Sequence, residues 1–228
     1  MYKVMIVGHG FVGSAVASLF SEKEKVIVDP KFTDNKISDN SGVAFDAVFV
    51  SVDTPKAEGF KLLDTILWEL NYCMLKGTPV CCKSTATPEF YHNVSQKYIN
   101  IKIVHSPEYL NKSIPIKMFQ GQKFFIIGGD EHAAMTVGHI FKSRLNHVKK
   151  IRYTDIRTAA MVKYSENAFL ATKVTFFNEL YKMYKSQGCE ASYEEFAEMV
   201  GLDATESSTL LSSFKETLPG LPFEVPVR

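Results

Sequence analysis

Gly8-His9-Gly10-Phe11-Val12-Gly13 joins an apolar run at 2–7 to a small, apolar stretch at 11–20 with helical spacing. In a strand-turn-helix unit the three glycines have separate tasks. Gly8 permits the tight turn, Gly10 lets the backbone approach a pyrophosphate, and Gly13 lets helix and strand pack closely. The helix N-terminus then faces the phosphate charge. Asp29 lies 21 residues after Gly8, at the end of a second predicted strand at 25–28. A carboxylate there accepts hydrogen bonds from both adenosine ribose hydroxyls and repels a 2′-phosphate, which favours NAD over NADP. Lys31 weakens that preference slightly. The plainer alternative is a glycine-rich turn that merely closes a strand-helix unit.

Three further motifs stand at the ends of predicted strands. Ser51-Val52-Asp53-Thr54-Pro55 closes the strand at 47–52, and Lys83-Ser84-Thr85 follows the strand at 79–82. Ser106-Pro107-Glu108-Tyr109-Leu110 follows the strand at 101–104. Each alone reads as a turn or a capped loop. In an open α/β sheet, however, the carboxyl ends of the strands form the ligand crevice, so together they put polar residues along one rim. Lys163 and Asn167 are spaced i,i+4 and share a helix face, with Glu166 near enough to pair with Lys163 at the surface. Such a face is either solvated or aimed at the crevice. In the second case the ammonium stabilises an alkoxide or oxyanion and the amide orients a hydroxyl.

The elements needed to carry these residues follow from periodicity. Short apolar strands, with others at 124–127 and 148–153, alternate with helical segments at 62–75, 88–97 and 131–141. This is the pattern of a doubly wound parallel α/β sheet of Rossmann type. From 155 to 187 there is neither proline nor glycine. A helix of that length reaches roughly 50 Å. Its apolar residues occupy several stripes, so it needs cover on several sides, from the first domain and from further helices or a second subunit. The expected division is a dinucleotide-binding domain at 1–154, a helical central domain at 155–217 and a proline-rich tail at 218–228. Lys+Arg number 26 and Asp+Glu 25, which argues against a nucleic-acid partner held by a large basic surface. No apolar run has bilayer-spanning length, and the first meets Gly8 too early for a secretory leader. Cys73, Cys81, Cys82 and Cys189 form no CxxC pair, so no metal site is expected. Reduced thiols in a cytoplasmic protein are the simplest reading.

In order and spacing these motifs, followed by Lys163-Tyr164-Ser165-Glu166-Asn167-Ala168-Phe169-Leu170-Ala171, resemble the UDP-glucose/GDP-mannose 6-dehydrogenase family from residue 2 to about Asp203. That family uses two NAD to oxidise a sugar-nucleotide primary alcohol to a carboxylate. The resemblance implies that Gly8, Gly10, Phe11, Val12, Gly13, Asp29, Val52, Thr54, Pro55 and Thr85 line the NAD site. It also implies that Glu108, Tyr109, Leu110, Lys163 and Asn167 face the sugar, that Thr85 and Glu108 position or activate water, and that the helix at 155–187 makes a homodimer. Family members continue into a third domain with a catalytic cysteine, and Cys189 does not match that segment. Lys112, Met118 and Ala204-Thr205-Glu206 depart from family positions on the substrate side. The expectation is therefore a shortened, NAD-dependent nucleotide-sugar dehydrogenase that needs a cysteine-bearing domain from another chain for the full oxidation. Two alternatives stand beside it: a dimeric NAD-binding module without turnover, and a 3-hydroxyacid-type dehydrogenase.

Overall fold

The computed structural model describes residues 1–55, 60–110 and 113–200. The chain divides into two compact units, one over Met1–Tyr164 and a second beginning at Ser165. In the first unit the chain runs β1 (Val4–Val7), α1 (Phe11–Ala17), β2 (Lys25–Val28), β3 (Ala47–Val50), α2 (Lys61–Cys73), β4 (Pro79–Cys82) and α3 (Pro88–Lys97). It continues through β5 (Lys102–His105), α4 (Pro115–Gln120), β6 (Phe124–Gly129), α5 (Glu131–Arg144) and β7 (Lys150–Thr154), then enters α6 (Ile156–Ser186).

The strands form one seven-stranded sheet in the order β2-β1-β3-β4-β5-β6-β7. Parallel strands covered on both faces carry apolar side chains at consecutive positions, and all four residues of β1 are buried. Met5 and Val7 join one core layer with Leu63, Leu67, Leu70 and Tyr91 from α2 and α3. Val4 and Ile6 join the opposite layer with Val16 of α1, Phe119 of α4, and Ile140 and Phe141 of α5. The first turn of α6 closes the former layer through Ile156 and Ala160.

The sheet is mostly parallel, as a doubly wound Rossmann-type sheet should be, with one reversal of direction. The strands β1 to β5 are parallel, but β6 pairs antiparallel with β5, Val104 opposite Gly129, and β7 follows β6 in parallel. A parallel return requires a crossover that carries the chain to the other end of the sheet. Here α4 has only six residues and packs beside α1. The chain instead re-enters the sheet from the edge at which it left β5. This helix was also absent from the expected elements.

In the second unit the later turns of α6 are followed by α7 (Tyr193–Val200). Phe177, Leu180, Tyr193 and Phe196 pack together, and Tyr184 lies 4.7 Å from Phe196, ring centre to ring centre.

One buried carboxylate ties the edge of the first unit together. Glu24 accepts from the backbone and hydroxyl of Ser21 at 3.1 and 2.9 Å, from the Tyr2 amide at 3.2 Å, and from Arg144 at the end of α5. The Ser21 amide, then its hydroxyl, with further help from Arg144 and Tyr2, hold its carboxyl down at about 2 against an opposing effect of burial. A depressed carboxyl stabilises the fold above its unfolded value and loses that contribution as pH falls toward the folded one. Glu24→Gln is thus expected to lower the urea midpoint at pH 7, and the gap to the unaltered chain to close between about pH 5 and pH 2. Denaturation series at several pH values check this; a gap that stays constant with pH contradicts it.

Candidate functional site

The rim is built by the sheet's own hydrogen bonds. The residue just past each parallel strand still donates to its neighbour: Gly8 N to Val28 O at 2.9 Å, Ser51 N to Val7 O at 2.8 Å, Lys83 N to Val50 O at 2.8 Å, and Ser106 N to Cys82 O at 3.0 Å. Gly8, Ser51, Lys83 and Ser106 therefore stand in one row.

At the β1 end of that row Gly8 has φ +85°, and a Cβ there would lie 2.4 Å from the Ser51 carbonyl oxygen. A Cβ on Gly13 would lie 1.9 Å from the Gly8 carbonyl oxygen, whereas one on Gly10 would meet nothing within 4 Å. Two glycines are thus demanded by packing, and the third keeps the approach to α1 clear. Gly10 caps α1 without a side-chain hydrogen bond, and Phe11, Val12 and Gly13 form its first turn. Asp29 accepts from the amides of His9 at 2.6 Å and Lys31 at 2.9 Å, which fixes its carboxylate beside the glycine turn. An ionised carboxylate oxygen has more than one acceptor position, so each keeps capacity for a ligand hydroxyl. Gly8, Gly10, Asp29, Phe32, Val52 and Ile66 line a cleft of about 790 Å³. Its size lies within the range of small-molecule and cofactor sites. The clear approach at Gly10 and the carboxylate at the strand end fit the diphosphate and adenosine ribose of a dinucleotide.

The next two loops are tied to each other. Ser84 Oγ accepts from Val52 N at 2.9 Å and donates to Val52 O at 2.7 Å. The Thr54 hydroxyl donates to Thr85 O at 2.7 Å, so its proton serves the loop and its lone pairs remain for a ligand. Pro55 follows directly. The Ser84 carbonyl accepts from the buried Tyr91 hydroxyl.

Farther along the rim, Lys163 of α6 meets the loop after β5. Its ammonium donates to Glu108 O at 2.6 Å, lies 3.9 Å from Glu108 Oε1 and sits 5.3 Å from the centre of the Tyr109 ring. Glu108 Oε2 accepts from the Leu110 amide at 2.7 Å. Lys163 and Glu108 are 8% and 4% exposed, so this is a buried pair and not a solvated helix face. Asn167 is half-buried one turn farther along α6, in the second unit.

Of three residues beneath the rim, sequence named Lys83 only as part of the Lys83-Ser84-Thr85 motif, without a role, and did not single out His105 or Tyr91. Lys83 is buried, and burial pushes its ammonium down to about 8. His105 is buried, with Nδ1 2.9 Å from Cys82 O, its ring stacked on Tyr91 at 4.4 Å, and its titration pushed down to about 3 by burial. A lone histidine beside a strand carries no sequence signal for this placement. Tyr91 had only its place in a helix.

Residues 157–215 match the family model described as "UDP-glucose/GDP-mannose dehydrogenase family, central domain". The chain is 31% identical over 180 residues to UDP-glucose 6-dehydrogenase YwqF of Bacillus subtilis, a match covering 74% of this chain and 40% of that protein. The chain is homologous to the UDP-glucose/GDP-mannose dehydrogenases. The UDP-glucose 6-dehydrogenase of Rickettsia bellii is 26% identical over 181 residues, with the same shares covered. The chain thus spans about 40% of the length of these curated relatives. Its fold is that of a UDP-glucose dehydrogenase from Pyrobaculum islandicum, with TM-score 0.76 at 19% identity over 92% of this chain and 59% of that one. It is also that of a GDP-mannose dehydrogenase from Pseudomonas aeruginosa, with TM-score 0.71 at 21% identity over 96% and 60%. Of the departures from the dehydrogenase pattern, Met118 lies on α4. Lys112, Ala204-Thr205-Glu206 and the tail at 218–228 fall outside the described residues.

The doubly bonded serine gives a direct test of how the rim is held. Ser84→Ala leaves the part-buried N–H and C=O of Val52 without this partner, a loss of about 1–3 kcal/mol. Urea denaturation is expected to show a destabilisation in that range; a change within about 0.5 kcal/mol, the usual spread of surface substitutions, contradicts it.

Proposed function

We propose that this chain binds NAD in the Gly8–Asp29 cleft and forms the alcohol-oxidising part of a nucleotide-sugar 6-dehydrogenase. The observation that carries the reading is the sharing of one rim by the glycine turn with Asp29, the Thr54 and Thr85 loops, and the buried Lys163–Glu108 pair. Bound NAD supplies a hydride acceptor. The rest belongs to the protein. Gly10 and the first turn of α1 receive the diphosphate, and Asp29 accepts from the ribose. Lys163 places a desolvated positive charge where a substrate hydroxyl becomes an alkoxide, and such a charge counts for more away from water. Asn167 orients that hydroxyl, while Glu108 and Thr85 hold water.

Cys81 and Cys82 are buried, and burial raises both thiols, Cys81 to about 12. Burial raises Cys73 as well. A thiolate is the nucleophile in covalent aldehyde oxidation; these three thiols are unsuited to that role and Cys189, though exposed, does not match the family's cysteine segment, so we assign the second oxidation to a cysteine on another domain. This favours an enzyme whose own step ends at the aldehyde.

We also propose the division into an NAD-binding domain at 1–154 and a helical domain at 155–217, with homodimerisation through α6. Phe169, Phe176 and Met183 on this helix are more than half exposed, which supports an apolar partner surface. We propose a cytoplasmic location, which a sugar nucleotide and NAD as ligands would support. Among the described residues no helix is long and apolar enough to cross a membrane.

Calorimetry is expected to show NAD binding tighter than NADP. Asp29→Asn removes a charged acceptor and should weaken NAD about tenfold, equal to about 1.4 kcal/mol. No heat at millimolar NAD would sink the reading. Sedimentation should show a dimer that Phe169→Asp with Phe176→Asp converts to monomer; a monomeric unaltered chain would remove the α6 proposal.

A further inference from the structure

Beneath the rim lies a charge that the proposed chemistry does not use. Lys83 is among the largest fully buried side chains. Its ammonium lies 5.5, 5.7 and 5.5 Å from the ring centres of Phe119, Phe125 and Phe141. It donates to Ser106 Oγ at 3.2 Å and to Pro107 O at 3.3 Å. The next carbonyl along the chain, Glu108 O, accepts from Lys163 at 2.6 Å. Consecutive carbonyl groups of one loop are thus held by two different ammonium groups, one on β4's exit and one on α6.

Burying an ammonium is strongly unfavourable unless hydrogen bonds and ring faces compensate it. A methionine would fill the same aromatic cage without that burden, so packing alone does not explain a lysine here. What the lysine adds is two donors aimed at Ser106 and Pro107. Those two residues fix where the chain leaves β5, and through it where Glu108 presents its carbonyl to Lys163 and its carboxylate to the Leu110 amide.

We infer that Lys83 is a positioning residue: by holding Ser106 and Pro107 from below, it sets the geometry of Glu108 and Lys163 at the rim. The inference rests on the reading of Glu108 and Lys163 as substrate-facing, but the geometry it claims is measurable without any ligand.

The test is Lys83→Met, which keeps length and apolar bulk and removes the donors. Two readouts are taken without coenzyme: hydrogen exchange at the Leu110 amide, and the rate at which Lys163 takes up methyl groups in reductive methylation, resolved by mass spectrometry. The folded variant should bind NAD within about twofold of the unaltered chain, yet exchange the Leu110 amide about tenfold faster, as expected for local opening. Lys163 should be methylated about threefold faster once the carbonyl acceptor is no longer held in place. A folded variant with both readouts unchanged overturns the inference, as does a rise spread evenly over all amides and lysines, which would mean general loosening. If Lys83→Met does not fold, Ser106→Ala decides. It takes away one acceptor and should speed Leu110 exchange about threefold; no change there also overturns the inference. If the unaltered chain binds no NAD, the functional reading falls, while both loop readouts still test this one.

Discussion

In a parallel ladder the amide beyond the last strand residue still has a partner on the neighbouring strand, and this constraint organises the first unit. Val7 is level with Val28 and Val50, Val50 with Cys82, and Cys82 with His105. Because the strands end level, the residues that follow them must also lie level, and their backbones stay hydrogen-bonded for one residue more. The consequences differ along the row. At Gly8 the neighbouring Ser51 carbonyl fills the place of a Cβ, so only glycine fits. At Ser84 the facing loop offers a free N–H and C=O, and one hydroxyl answers both. At Ser106 and Pro107 a hydroxyl and a carbonyl, respectively, look down onto a buried ammonium.

This explains which parts of the molecule were legible in the sequence. The glycine turn, Asp29 and the rim motifs lie at ends of short apolar runs, and a run that is apolar at every position announces burial on both faces. Lys163 was legible as a helical residue, and its resemblance to a family motif pointed it at the rim. The direction of β6 was not legible. Phe124–Gly129 carries the same apolar pattern whichever way it runs, so nothing in that pattern announces the antiparallel pairing. Helix α4, six residues long behind Pro115, is too short to show a period.

Lys83 and Glu24 were illegible for a different reason. Each reads locally as a polar residue in a turn. Each is buried by partners far away in sequence: Phe119, Phe125 and Phe141 around Lys83, and Arg144 beside Glu24. Local periodicity carries no trace of such a partner.

Below the rim the titratable groups respond to burial in one direction, toward neutrality, and that has a consequence above it. His105 is pushed down to about 3 and stays uncharged at neutral pH, the Cys82 thiol and the Tyr91 phenol are pushed well up, and none of the three ionises near neutrality. The floor under β4 and β5 is therefore an apolar and neutral layer, with Tyr91 stacked on His105. A low-dielectric floor screens poorly, so the ammonium of Lys163 above it acts on nearby charge with less attenuation than an exposed lysine. On the opposite face of the sheet Lys83 is enclosed by Phe119, Phe125 and Phe141, and its hydrogen bonds are necessary there because water cannot replace them. Burial on both faces of the sheet thus strengthens the charge at the rim on one side and requires the hidden charge on the other to be fully bonded.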